Sequence, residues 1–330
     1  MQEITLSIDK MLEFIKEHKK AITHIVTVTI LFLMASYLYK NREIFTSLKE
    51  LDAQYIVYIF ISQILSVFLI ALTNKKVIDL LKYHVDIKES FLLQYSNSFL
   101  NKLVSEGGAV FRGVFLKENY KLPYTKYVST IGGLYIINFL TTSIVGLFTL
   151  GYIYRTYNRI SYLVLIFFIA VTLAMLFLIF FNFRIHNKKE NRIIKWIKSI
   201  LDGWTTIKKD KEKLIIFVIL VLIRLFLGAV QLLFVYRGLG FELGIIESLY
   251  MTSLASITTF INVTPDSIGI REGVYMFTSD IIGLDSDIIF LGSLIIRAVG
   301  LINTSLIGGV SYFILTTRLR GRGRTEGINN

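Results

Sequence analysis

The chain has 330 residues, 54% of them hydrophobic, and its mean hydropathy is +0.60, so it reads as an α-helical integral membrane protein and not as a soluble domain. Period-two alternation is absent, which argues against a β-barrel, and with no cysteine and only 4 histidines at no ligand spacing, disulfides, metal sites and cofactors are not expected. The net charge of +12 gathers in a few loops, which indicates orientation in a bilayer and contact with anionic lipid heads, not nucleic-acid binding.

In chain order, residues 1–20 form an amphipathic, charged helix with Ile4, Ile8, Met11, Leu12 and Ile15 at helical spacing. It is too polar for a signal core and no small-residue cleavage site follows, so no cleaved peptide is expected. Ala21–Tyr39 and Tyr55–Leu72 are the first two spans. Asp86–Phe115 is amphipathic, broken at Gly107-Gly108, and lacks the ~20 unbroken apolar residues of a clean span. It reads as two half-helices entering and leaving on one side.

Lys126–Tyr154, Ile160–Phe181 and Leu214–Tyr236 are further spans, with the large polar loop 182–213 before the last. Residues 245–283 are interrupted again: Ile245–Ile261 and Gly273–Ile282 flank Thr264-Pro-Asp-Ser267. Ile288–Leu315 is the last long span, and a basic tail closes the chain. This makes about 8 membrane segments.

Lysine and arginine set the orientation. Ten of them lie in 182–213, from Arg184 to Lys213, and Arg318, Arg320, Arg322 and Arg324 lie in the tail. Both regions are therefore expected in the cytoplasm, while the short loops 155–159 and 237–244 belong outside. Both termini are then cytoplasmic, in a multi-pass protein of the cell membrane. Within the basic loop, Ile193, Ile197, Ile200, Leu201 and Trp204 share a helical face, as in a helix on the inner leaflet; an ordinary solvated connector is the alternative.

The two interrupted stretches match. Ser98–Leu116 and Thr259–Met276 both run from Phe-aliphatic-Asn into a polar, glycine-bearing break and restart with a charge and Gly-Val-aromatic. The spans that follow also align loosely, Thr142-Ser-Ile-Val-Gly146 with Thr304-Ser-Leu-Ile-Gly308. On the charge-based orientation these spans run in opposite directions. Residues 86–154 and 250–315 are therefore expected to be an inverted repeat within one transmembrane domain, the sequence pointer to a transport site at the repeat interface. Half-helix ends there would offer free N–H groups and a positive dipole end to an anion.

Val263-Thr-Pro-Asp-Ser-Ile-Gly-Ile-Arg-Glu-Gly273 resembles the P-x-x-x-G-x-R-E signature of the lysylphosphatidylglycerol synthase transmembrane region, the UPF0104 or flippase-like family. Gly107-Gly-Ala-Val-Phe-Arg-Gly-Val-Phe-Leu116 is similar to that family's first, glycine-rich signature, and Arg297 matches an arginine of its last long span. The resemblance covers nearly the whole chain and implies a lipid-related membrane role. Many members carry an acidic–arginine pair after the first signature. Here Thr130-Ile-Gly-Gly-Leu-Tyr135 is uncharged, so that pair's role does not transfer. The soluble aminoacyltransferase domain of the larger members is also missing from the 330 residues, so that activity is not expected.

Arg224 lies ~15 Å and Arg297 ~14 Å into their spans, from opposite sides, so both fall near the midplane. A charge there needs a partner or a wet cavity. Ligand contact and an internal ion pair, with Glu272 or Glu106, are both open for them. Arg112 and Arg271, at the breaks, are candidates for a phosphate, which a guanidinium grips with two N–H groups. For Arg271 and Glu272 an interfacial charge pair is the alternative. Asp266 can cap the next half-helix, and Asn101 and Asn262 can satisfy freed backbone groups.

The leading expectation is a lipid transporter that admits an anionic head to a groove between the repeats. Arg112, Arg224, Arg271 and Arg297 would offset its charge, with Glu106, Asp266 and Glu272 as titratable partners. An intramembrane transferase on lipid-linked substrates, using Glu50 and Asp52 as an acidic pair, is the alternative. A membrane subunit or scaffold for an envelope-synthesis enzyme, docked through the basic amphipathic helix, is a third.

Overall fold

The computed structural model describes residues 28, 29, 32, 36, 39, 40, 51–103, 107–180, 192–258, 264 and 267–326. These are helices and their connections, in the order α1 (Ala53–Leu80), α2 (Ile87–Leu103), α3 (Gly107–Tyr120), α4 (Tyr124–Tyr157), α5 (Tyr162–Phe180), α6 (Arg192–Lys208), α7 (Lys211–Gly238) and α8 (Ile245–Thr258). Two short helices, α9 (Ile270–Met276) and α10 (Ser279–Ile282), lead to α11 (Ser286–Asn303). A π-turn at Thr304–Gly308 joins α11 to α12 (Gly309–Glu326). Among the described residues, five helical stretches are long and apolar enough to cross a bilayer: Ala53–Leu80, Tyr124–Tyr157, Tyr162–Phe180, Lys211–Gly238 and Ser286–Arg318. The expected helix at 1–20 and most of the expected span 21–39 lie outside the described residues.

The helix starts follow from capping chemistry. Asp52 caps α1, its Oδ1 accepting the Gln54 N–H at 3.0 Å and its Oδ2 the Gln54 side-chain amide at 2.7 Å. Asp210 and Asp285 do the same for α7 and α11. Helix α4 ends at Asn158, which is left-handed at φ 54° and donates to the Tyr154 carbonyl. At 34 residues α4 is ~51 Å long, enough to pass through a ~30 Å core and project beyond it.

The core has two parts, one at each end of the bundle. One gathers the end of α1, the start of α2, the end of α3 and the starts of α4 and α7 around Val77, Leu93, Phe115, Leu122, Tyr127 and Phe217. The other gathers the start of α1, the ends of α4 and α7, α8, and the start of α11 around Ile59, Ile153, Leu232, Tyr250, Ile281 and Ile289. Both chain ends of the interrupted segment α2–α3 therefore sit in the first part. Both chain ends of the segment α8–α10 sit in the second. Lipid-facing side chains such as Leu163, Ile166 and Leu173 on α5 are left exposed, as a membrane-embedded surface requires.

The expected amphipathic helix of the basic loop has a protein partner. Helix α6 forms and docks on α4, burying Trp204 and Ile207 in the first core. The contact is backbone to backbone. A Cβ at Gly203 would collide with the Ser129 carbonyl, one at Gly133 with the Trp204 nitrogen, and Ser129 donates to the Ser199 carbonyl at 2.7 Å. Small residues let two helices approach this closely, so the protein, and not the bilayer, covers this part of α6's apolar side.

Candidate functional site

Arg112 belongs to a ring of polar side chains that ties α1, α2, α3 and α4 together. It donates to Gln94 Oε1 at 2.5 Å and to the Tyr127 hydroxyl at 3.3 Å. Tyr127 in turn donates to Asn74 Oδ1 at 3.3 Å, and Asn74 Nδ2 donates to the same Gln94 oxygen at 3.0 Å. Asn74, Gln94 and Tyr127 are all buried, while Arg112 is half-buried. A closed ring satisfies its neutral members but adds no negative charge, and Arg112 has no acidic partner among the described residues.

Arg224, in the middle of α7, donates to Asn138 Oδ1 on α4 and also has no acidic partner among the described residues. Both arginines lie within electrostatic reach of Tyr135 on α4. Tyr135 is 42% exposed and its ring stacks on Phe139, so the side chain that both cations approach lies at the surface of the helical bundle. A cation in a span costs at least ~2.5–3.5 kcal/mol near the bilayer centre. Two guanidinium groups without a carboxylate partner among the described residues carry uncompensated charge, and a phosphodiester is a group such a pair can offset and grip by its oxygens.

The second break is arranged otherwise. Glu272, 2% exposed, binds Arg297 through one oxygen, Oε1, which accepts from Nη2 at 2.5 Å and from Nε at 2.7 Å. Its other oxygen accepts the Gly269 N–H at 2.7 Å, so the same carboxylate caps α9. Gly269 has φ 81°, a conformation that glycine adopts without strain, which accounts for the glycine of Gly-x-Arg-Glu. The geometry thus holds Arg297 in a buried ion pair. Arg271, half-buried, has no acidic partner among the described residues; with Glu272 and Arg297 it surrounds Tyr275.

Asn101 accepts the Gly108 N–H at 2.8 Å and so closes the turn between α2 and α3. A Cβ at Gly108 would collide with the Asn97 carbonyl, so the close approach of α3 to α2 needs a glycine there. Glu106, Asn262 and Asp266 lie outside the described residues, as does Glu50. Asp52 accepts from Gln54 with both carboxylate oxygens as a helix cap.

Sequence reasoning passed over Asn74, Gln94, Tyr127, Tyr135 and Asn138. A signal for some of them was present. Ser90, Gln94 and Ser98 recur every fourth residue, a polar stripe on one helix face, and Asn138 stands in the middle of an apolar span.

The lysylphosphatidylglycerol synthase TM region family matches residues 21–308 of the chain. A UPF0104 membrane protein of Methanocaldococcus jannaschii is 21% identical over 319 residues, covering 89% of this chain and 94% of the relative. No solved structure matches.

Proposed function

The chain belongs to the lysylphosphatidylglycerol synthase TM region family, and from that premise we propose that it is a lipid transporter of the flippase type, moving an anionic phospholipid or polyprenyl-phosphate lipid between leaflets. The observation that carries this reading is the pair Arg112 and Arg224. Both are half-buried, lie around the exposed Tyr135 and lack an acidic partner among the described residues. A phosphate-bearing head enters beside Tyr135 on α4 and its tails stay in the bilayer. Arg271 adds charge at the second break, and Arg297 acts through its pair with Glu272 instead of on the ligand directly.

The placement of the two interrupted segments at opposite ends of the bundle supports an inverted repeat of 86–154 and 250–315 with alternating access. Lys75, Lys82, Lys121, Lys208 and Lys213 lie on elements that meet at the α2–α3 end, which supports placing that end, and both termini, in the cytoplasm of a cell-membrane protein.

The test is lipid movement in proteoliposomes carrying a labelled anionic lipid and, separately, a labelled zwitterionic one. Wild-type protein is expected to move the anionic lipid faster. Arg112→Ala and Arg224→Ala should each lower that rate at least about tenfold, the equivalent of one charge-assisted contact of ~1.4 kcal/mol or more. Wild-type rates equal to empty vesicles would overturn the proposal.

A further inference from the structure

Helix α8 is inserted between α4 and α7, and around it a set of buried polar groups has nothing to bind. Thr142 on α4 and Tyr250 and Ser253 on α8 are 0% exposed, and Thr252 is 8% exposed. None of their hydroxyls has a hydrogen-bond partner among the described residues, nor does the side-chain nitrogen of Gln231 on α7. Gln63 Oε1 on α1 and Trp204 Nε1 on α6 are also unmet, but five of the seven such groups among the described residues gather here. Elsewhere in the same helices buried hydroxyls donate to the carbonyl one turn back, as Thr149 does to Val145 and Ser248 to Gly244. A buried donor left unmet opposes the packing that buries it. Several of them along one helix indicate that the packed state is not the state in which they are satisfied.

Their position is given twice over. Thr142 stands one turn along α4 from Asn138, the residue that accepts from Arg224. Gly228 stands one turn along α7 from Arg224, and a Cβ there would meet the Thr252 methyl group at 2.7 Å. Two helices therefore place a hydroxyl ~5.4 Å beyond the Arg224–Asn138 contact. Gln231 lies seven residues from Arg224, on the same side of α7. None of the five groups is charged, and hydroxyl and amide groups both donate and accept. On the same helix, the Glu247 carboxylate sits in the first turn, engaged by the Tyr157 hydroxyl.

We infer that the seam between α4, α7 and α8 is the second half of the head-group site, and that it takes a neutral, hydroxyl-rich group attached to the phosphate that Arg224 holds. The inference rests on the proposed head-group site. The seam opens when α8 shifts, and the hydroxyls of the ligand then supply the missing partners. A cationic head finds no carboxylate among these groups and is disfavoured.

Phosphatidylinositol and phosphatidylmethanol test this directly. Both are singly charged phosphodiesters, and they differ in the hydroxyls beyond the phosphate. Binding of each to the purified full chain is measured by native mass spectrometry. Wild-type protein is expected to prefer phosphatidylinositol by about tenfold, the usual effect of a site whose buried polar groups go unpaired with the lesser ligand. The T142V/T252V/S253A variant should reduce that preference to about twofold or less, with phosphatidylmethanol binding unchanged and the thermal midpoint no lower. T252S, which keeps the hydroxyl, should retain the preference.

Equal wild-type affinity for the two lipids overturns the inference without recourse to any variant. So does an unchanged preference in the triple variant, and a lowered thermal midpoint alongside it would assign the seam to structural water. Binding of neither lipid by wild-type protein removes the head-group reading, and the inference with it. A variant that fails to fold leaves the wild-type comparison and T252S to decide.

Discussion

Glu272 serves two partners with one carboxylate, the guanidinium of Arg297 and the N–H of Gly269, the N-cap of α9. Removing one member of a buried pair strands the other charge, so Glu272→Ala should destabilise the protein by about 3–5 kcal/mol, read as thermal unfolding in detergent. Neutralising both members, in Glu272→Gln with Arg297→Gln, should recover a large part of that loss. Arg112→Ala should behave in the opposite way: it removes a cation with no acidic partner among the described residues, so its effect falls on lipid movement more than on stability. Outside the membrane, Asp210 accepts the Lys213 backbone N–H with one oxygen and meets the Lys213 ammonium at 2.9 Å with the other, and the backbone bond first, the ammonium second, hold its carboxyl below the ordinary 3.8. Its contribution to the start of α7 is full above that ordinary value and disappears as pH falls through the lower folded value. The protection of the Lys213 amide, its exchange rate relative to an unstructured chain at the same pH, should fall over that interval and stay constant above it. The Gly-x-Arg-Glu signature was legible in the sequence, and Glu272 stood there as one possible ion-pair partner of Arg224 and Arg297; which arginine it takes was not legible, because Arg297 is 25 residues away on another helix.

Among the elements, α6 depends most on one small residue. Gly203 meets the backbone of α4 at Ser129, and no side chain fits between them. Gly203→Ala should cost roughly 1–3 kcal/mol by forcing the helices apart, and should raise the exposure of Trp204, measurable by its fluorescence. The amphipathic pattern of 192–208 was readable as a helix, but the pattern alone cannot tell a membrane surface from a protein surface, since both reward the same apolar stripe. The glycines at 132 and 133 are what make α4 the receiving surface. The two matched stretches Thr142–Gly146 and Thr304–Gly308 also diverge: the first is regular α-helix and the second a π-turn. Next to that π-turn, Tyr95 donates to Asn303 and Gly308 packs against the Tyr95 carbonyl, so the extra residue of the turn fits α2.

At the scale of the whole molecule, the chain supplies its own reporter, because it has no cysteine. Lys82 and Lys121 are exposed at the end of the bundle where α2–α3 begins and ends, and Arg159 and Gly240 are exposed at the other. In intact cells a membrane-impermeant thiol reagent should label Arg159→Cys and Gly240→Cys but not Lys82→Cys or Lys121→Cys. The reverse pattern would invert the orientation, and labelling at both ends of α2–α3 on opposite sides would remove the re-entrant reading. The membrane class, the long spans and the two interruptions were determined by the sequence alone, because burial in lipid demands long apolar runs and any departure from them stands out. The tertiary structure decided which arginines are neutralised and which are not. That depends on side chains meeting across helices, between residues as far apart as Asn138 and Arg224 or Gln94 and Arg112, and hydropathy along one helix carries no record of what faces it.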